Sequence, residues 1–121
     1  MVKKLYDEVR KQFTELIFAA DRDCKYRYGE PMPEFLWFES LAYTINAKML
    51  KLENIEDIKG LFEFLGRKYN CGSDDIKKCI DVSFTENLFS EVPPLKTKPY
   101  WTVLPNNLKE LYISFHGKSS L

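Results

Sequence analysis

His116 is the only histidine in the sequence and the side chain best suited to acid–base chemistry near neutral pH. It stands beside Gly117, close to the end of the chain, where few neighbours can position it. A cation or hydrogen-bond donor is favoured at the C-terminal end of a helix, which explains His116 without a reaction. The sequence also contains no glycine-rich phosphate loop, no HExxH and no GxSxG motif. We therefore predict no enzyme activity, no catalytic residues and no cofactor.

Carboxylates are the other candidates for a site, and the sequence leaves three interpretations of them open. The first is a solvated helix surface, because Glu63 stands four residues before Arg67, and Asp74 and Asp81 have a lysine at the same spacing. The second is a metal site, which helical spacing disfavours because it supplies too few converging oxygen atoms; we predict no metal ligands. The third is a binding surface whose negative charge recognises a partner. Its candidate residues are Glu56, Glu63, Asp74 and Asp81.

The three cysteines fit no zinc or redox spacing. Cys24, Cys71 and Cys79 are therefore predicted to be buried, reduced thiols of a cytoplasmic protein, and a bridge between Cys71 and Cys79 is the alternative.

The composition is typical of one globular domain that spans residues 1–121. The longest apolar runs, LIFAA and FLWF, are too short to cross a membrane, so no membrane partner is expected. The chain has no net charge, but residues 1–28 carry +2, residues 29–91 carry −5 and residues 92–121 carry +3. Because phosphate neutralisation needs a concentrated basic surface, we expect no direct binding to nucleic acid.

Apolar residues recur at helical spacing in five stretches and at no convincing strand spacing. The first stretch runs from Val2 to Ala20, and the helix is expected to fray within DRDCKYRYG. The others begin after Pro33, Asn54, Ser73 and Pro105, each a suitable helix start. The sequence predicts an all-α fold, a single compact domain of about five helices arranged as an irregular bundle or a short stack of helical hairpins.

Two tryptophans could lie in the core or at an interface. In EFLWFES, four consecutive large residues turn through about 300° of a helix, so they cannot share one face. Either that helix is covered on two sides or Trp37 points outward as a contact residue. Between Pro93 and Pro105 we predict a non-helical linker whose Tyr100, Trp101 and Val103 close over the core.

Three sequence features resemble a family of small all-helical bacterial immunity proteins that accompany polymorphic toxins, including those of contact-dependent growth inhibition. They are the helix FLWFESLAYTI after a proline break, the helix IEDIKGLFEFLGRKY, and the ending LPNNLKELY preceded by an aromatic linker. The resemblance as a whole covers residues 5–115.

The resemblance implies a cytoplasmic antitoxin that binds one cognate toxin domain, often a nuclease, and occludes its active site. The acidic side chains named above could then enter the basic cleft of a nuclease. Trp37 and Trp101 complete the predicted partner-binding set. The alternatives are an adaptor or regulatory module that binds another protein or its own copy through these tryptophans, and a small carboxylate enzyme.

Overall fold

The computed structural model describes residues 2–121, and all of their regular structure is helical. The helices are α1 Val2–Gln12, α2 Thr14–Tyr28, α3 Glu34–Leu50, α4 Ile55–Cys71, α5 Asp74–Lys78, α6 Pro94–Thr102 and α7 Asn106–His116. A π-helical stretch, Cys79–Phe84, and a 3₁₀ turn, Thr85–Asn87, continue directly from α5. The prediction of a single all-α domain is confirmed, with seven α-helices in the described part instead of about five. Met1, at the predicted domain boundary, lies outside the described residues.

The predicted first helix is two helices, because Phe13 leaves helical geometry with φ −121° and ψ 54°. The ring of Phe13 packs edge-on against Phe64 of α4, at 5.6 Å between centroids, which redirects the chain at this point. Fraying within DRDCKYRYG is also wrong, since α2 continues to Tyr28 with Cys24 fully buried. Gly29 then ends α2 at φ 75°, a conformation that glycine adopts without a steric penalty.

Residues 94–102 form a helix where the sequence predicts a non-helical linker. Pro94 occupies the first turn, where its missing N–H is no loss, and Pro99 lies inside the helix. Because Pro99 has no N–H, the carbonyl of Leu95 receives no helical hydrogen bond from it. Both residues are exposed, so water can bind that carbonyl. The predicted packing of Tyr100 and Trp101 against the core is confirmed, with 1% and 8% of their surfaces exposed.

Helix α3 is the central element of the core. Trp37, Phe38, Leu41, Ile45 and Met49 are all fully buried, because α2 covers one side of α3 and the π-helical stretch covers another. This confirms the interpretation in which the helix is enclosed on two sides. Within residues 2–121, no helix combines the length and the apolar character needed to span a membrane.

All three cysteines are free thiols, so the alternative bridge between Cys71 and Cys79 is wrong. Cys24 and Cys79 are buried as predicted, whereas Cys71 is exposed at the end of α4. Burial raises the pKa of Cys79 to about 12, which makes it unreactive at neutral pH.

Candidate functional site

Both tryptophans of the predicted partner-binding set are core residues. Trp37 is 0% exposed, and its ring makes edge-to-face contacts with Tyr6 and Phe38. Trp101 packs between Phe89 and Tyr112, with ring centroids 5.6 and 5.4 Å away. Of the two alternatives for these rings, the structure has the core one, in which burial removes their large apolar surface from water.

The four predicted acidic residues do not converge on one point. Glu56 and Glu63 are exposed on α4, seven residues and thus about 10 Å apart along the helix axis. Asp74 is exposed in the first turn of α5, beyond the C-terminal end of α4. Asp81 is half-buried in the π-helical stretch, and this burial raises the pKa of its carboxyl group. Glu56 and Glu63 lie on the same side of α4, and we call these two residues together with the exposed Asp74 the acidic face.

The lysine and arginine partners predicted for these carboxylates are not in ion-pair contact with them. In the described chain, Glu56, Glu63, Asp74 and Asp81 make no salt bridge. Four carboxylates of α1 and α2 differ: Asp7, Glu8, Asp21 and Asp23 each pair with a lysine or arginine, whereas Glu15 does not within residues 2–121. Lys77, instead of pairing with Asp81, lies 5.7 Å from the ring centroid of Tyr69.

Basic residues are interleaved with the acidic face. Lys59 and Arg67 are exposed on α4, and residues 54–81 hold six acidic and five basic side chains in total. Most of the −5 charge of residues 29–91 is carried outside α4 and α5, by glutamates such as Glu30, Glu34 and Glu91. The acidic face can thus recognise a partner through the positions of single carboxylates rather than through a strong net field.

His116 lies near two other titratable groups, Glu86 and Tyr112. Its Nε2 atom is 3.1 Å from the backbone oxygen of Glu86, and its ring lies 4.1 Å from that of Tyr112. Burial and the nearby Asp81 raise the pKa of Glu86, while the charge of His116 opposes this rise. The histidine is exposed and bonded to the backbone. Within residues 2–121, no three His, Cys, Asp or Glu side chains are placed to hold a metal ion.

A groove of about 520 Å³ lies between α2 and α3. Small residues, Ala19 and Ala47, line it together with Arg22, Lys48 and the ring of Tyr43. Arg27 lies over that ring, 4.5 Å from its centroid, and also donates to Asp23 at 2.8 Å. The groove therefore combines an apolar floor with charged edges.

Exposed aromatic rings stand beside this groove on α2. Phe18 is 73% exposed and Tyr26 is 90% exposed, with Arg22 between them one turn from each. We call the outward surface of α2 and α3 the hairpin face; it comprises Glu15, Phe18, Ala19, Arg22, Tyr26, Tyr43, Ala47 and Lys51. Aromatic residues and arginine are enriched at the energetic centres of protein interfaces.

The hairpin face was not predicted from the sequence, because α2 was expected to fray after Ala20. A signal was available in the spacing of the residues. Leu16, Ala20 and Cys24 form the buried stripe of α2, so Phe18, Arg22 and Tyr26 must lie on the opposite side if the helix continues. Large aromatic residues on the solvent-facing side of a helix indicate a surface that binds another protein.

The search of curated proteins gave no match, and the search of solved structures also gave none. A family model described as a domain of unknown function, DUF7674, matches residues 6–117. This match extends from α1 through the end of α7 and so includes both the acidic face and the hairpin face. Since the matched region is nearly the whole chain, the protein belongs to the DUF7674 family.

Proposed function

We propose that this protein is a non-catalytic immunity protein that acts in the bacterial cytoplasm, binds a cognate toxin domain and occludes its active site. The toxin domain we favour is a nuclease. The observation that carries the proposal is the acidic face, where Glu56, Glu63 and Asp74 are exposed without an ion-pair partner among residues 2–121.

Unpaired carboxylates suit this task because a nuclease must hold phosphate groups with basic side chains. A carboxylate already bonded to lysine would lose that bond on entering such a cleft, whereas Glu63 and Asp74 have none to lose. Because these carboxylates are spread along α4 and α5, they are suited to several separate contacts with a partner and not to binding one ion. Lys59 and Arg67 would then lie beside the cleft, where they restrict which partners fit.

The surroundings of His116 support the non-catalytic part of the proposal. A general base must be positioned by neighbouring groups and must reach a bound substrate. His116 is instead exposed at the last residue of α7, against the ring of Tyr112 and the backbone of Glu86. Its hydrogen bond with Glu86 is to the backbone oxygen and not to the carboxylate, which could orient the imidazole for proton transfer.

Co-expression tests the proposal. The toxin domain encoded next to this gene should arrest growth when expressed alone, and this protein should restore growth. The purified pair should also form a complex by size-exclusion chromatography, with the toxin's activity inhibited. Growth arrest that persists despite normal expression of this protein, with no complex, would refute the immunity function.

A second candidate function is an adaptor that binds a protein other than a toxin. The exposure of Phe18 and Tyr26 favours it, because such rings are hot-spot residues when an interface covers them. Substituting either ring by alanine should abolish adaptor binding and leave toxin protection intact. If the gene has no neighbouring toxin, the adaptor becomes the better proposal.

A further inference from the structure

Helix α2 carries one exposed stripe that combines an acid, an aromatic ring and a base. Glu15, Phe18 and Arg22 follow each other at spacings of three and four residues, so they share one side of the helix. All three are exposed, and Phe18 keeps 73% of its surface in contact with solvent. A ring of this size lowers its free energy by leaving water, which a contact with another chain would achieve.

The two charges of the stripe have no ion-pair partner in the described part of the chain. Arg22 rests over the ring of Phe18, 5.6 Å from its centroid, and no carboxylate lies within ion-pair distance of it. Glu15 likewise makes no salt bridge there. The stripe is therefore neutral as a whole, with an unpaired negative end and an unpaired positive end.

Such a stripe is complementary to its own copy in the antiparallel direction. Glu15 and Arg22 are seven residues apart, which is two helical turns and about 10 Å. A twofold axis between Phe18 and Ala19 would place Glu15 of each protomer opposite Arg22 of its partner. Twofold interfaces pair one patch with itself in this way, so the same ion pair forms twice.

We propose that the protein forms a twofold symmetric dimer through the hairpin face, with α2 packed antiparallel against α2 of a second copy. The two Phe18 rings meet near the axis, and the small side chain of Ala19 lets the helices approach closely.

This dimer goes beyond the proposed immunity function and uses a different surface. The acidic face lies on α4 and α5, whereas the dimer contact lies on α2 and α3. The two proposals can therefore fail separately: the dimer can form when no toxin domain binds, and a toxin domain can bind when no dimer forms.

Sedimentation equilibrium of the purified full chain, at about 10 to 500 µM protein, tests the dimer directly. The wild type should show a monomer–dimer equilibrium in this range. The single variants Glu15→Arg and Arg22→Glu place like charges opposite each other twice, so each should weaken dimerisation at least about tenfold. The double variant, which exchanges the two charges, should regain dimerisation to within about threefold of wild type.

Two matched controls carry the same charge changes on other helices. Glu110→Arg on α7 and Lys98→Glu on α6 alter exposed residues, and both should dimerise like the wild type. Circular dichroism of every variant should show unchanged helix content. A wild type that stays monomeric over the whole range overturns the proposal. So does a dimer that neither single variant weakens, or one that the charge exchange fails to restore.

Discussion

The indole nitrogen of Trp37 donates a hydrogen bond of 2.8 Å to Oδ1 of Asp21, and this bond joins the two helices of the central hairpin. The same carboxylate accepts two bonds from Arg10, at 2.6 and 2.9 Å. Helices α1, α2 and α3 therefore meet at one carboxylate. Since Trp37 is fully buried, Asp21 also satisfies an indole N–H that water does not reach in the native state.

Removing the Asp21 carboxylate should destabilise the fold by about 3 kcal/mol. Asp21→Ala leaves both the indole N–H and the guanidinium of Arg10 without their acceptor, and an unpaired buried donor is more harmful than a lost bond. Trp37→Phe removes the hydrogen-bond donor but keeps most of the ring volume. We therefore expect a smaller loss of unfolding free energy, about 1 to 2 kcal/mol. Urea denaturation measures both losses.

Asp7→Ala is the matched control, because Asp7 makes an exposed ion pair with Lys3 at 3.2 Å. Its loss should change the free energy of unfolding by no more than about 0.5 kcal/mol. If Asp21→Ala were as mild as Asp7→Ala, the three-helix junction would contribute little to stability.

The stability contributed by Asp21 should depend on pH. Burial alone would raise the pKa of this carboxyl group, but hydrogen bonds from Arg10 and Trp37 outweigh it and hold the pKa below its ordinary value. A carboxyl group whose pKa is lower in the folded state stabilises the fold above its unfolded pKa. That contribution is lost as the pH falls through the lower, folded-state pKa.

The difference in unfolding free energy between the wild type and Asp21→Asn should therefore be largest near neutral pH and shrink in strongly acidic solution. Urea denaturation at about pH 7 and about pH 2.5 provides the comparison. A difference that stays constant between these two conditions would show that the ionised carboxylate is not what stabilises the junction.

Asn46 should be the most sensitive polar residue of α3. It is 6% exposed, donates to the backbone oxygen of Asn87 at 2.9 Å and accepts from the backbone N–H of Phe89 at 2.8 Å. Phe89 has a φ of 65°, so this bond helps to hold a conformation that a bulky side chain disfavours.

Asn46→Ala should destabilise the protein by about 2 to 3 kcal/mol, since one buried and one part-buried backbone group lose their partners. Thermal unfolding followed by circular dichroism measures the change. Asn70→Ala is the control, because Asn70 is exposed and accepts a bond only from the side chain of Asn107, at 3.1 Å. Equal effects of the two substitutions would contradict the role of Asn46.

Trp101→Ala should destabilise the fold by about 2 to 4 kcal/mol, the range for truncating a large buried aromatic ring. The ring packs against Phe89 and Tyr112, so its removal opens a cavity at the junction of α6 and α7. Chemical denaturation measures the loss. An unchanged denaturation midpoint would show that the indole ring is not part of the stable core.

The sequence predicted the helical class and most core residues, because both follow from apolar periodicity. In the stretch that begins after Asn54, Ile58, Leu61, Phe62 and Leu65 recur at helical spacing, and all four are fully buried. Periodicity could not predict the break at Phe13, which a contact with Phe64 favours. It also could not predict α6, because Pro99 normally prevents a helix and is accepted here where the affected carbonyl faces solvent.

The candidate surfaces were harder to predict than the core. The positions of Glu56, Glu63 and Asp74 on exposed helix surfaces follow from periodicity, and the structure agrees. Whether Glu63 pairs with Arg67 depends on rotamers, which sequence spacing does not fix. Trp37 and Trp101 could not be assigned from composition, because large aromatic residues serve both cores and interfaces.

Reversing two residues of the acidic face should weaken binding of the cognate toxin domain. Glu63→Lys combined with Asp74→Lys would place like charges against a basic cleft, and affinity should fall at least about tenfold. Both residues are exposed and make no salt bridge among residues 2–121, so helix content and the thermal midpoint should change little. Calorimetric titration at two salt concentrations measures the effect, and the wild-type affinity should fall as salt rises.

The control reverses two lysines on α1, Lys4→Glu with Lys11→Glu, which are exposed and remote in sequence from the acidic face. This variant should bind the toxin with wild-type affinity and protect cells fully. Because α4 also carries Lys59 and Arg67, the loss in affinity should come from specific contacts more than from long-range attraction. The loss in affinity of the reversed acidic-face variant should therefore appear mainly as a faster dissociation rate of the complex. Full protection by the doubly reversed variant, with affinity independent of salt, would mean that the toxin binds another surface.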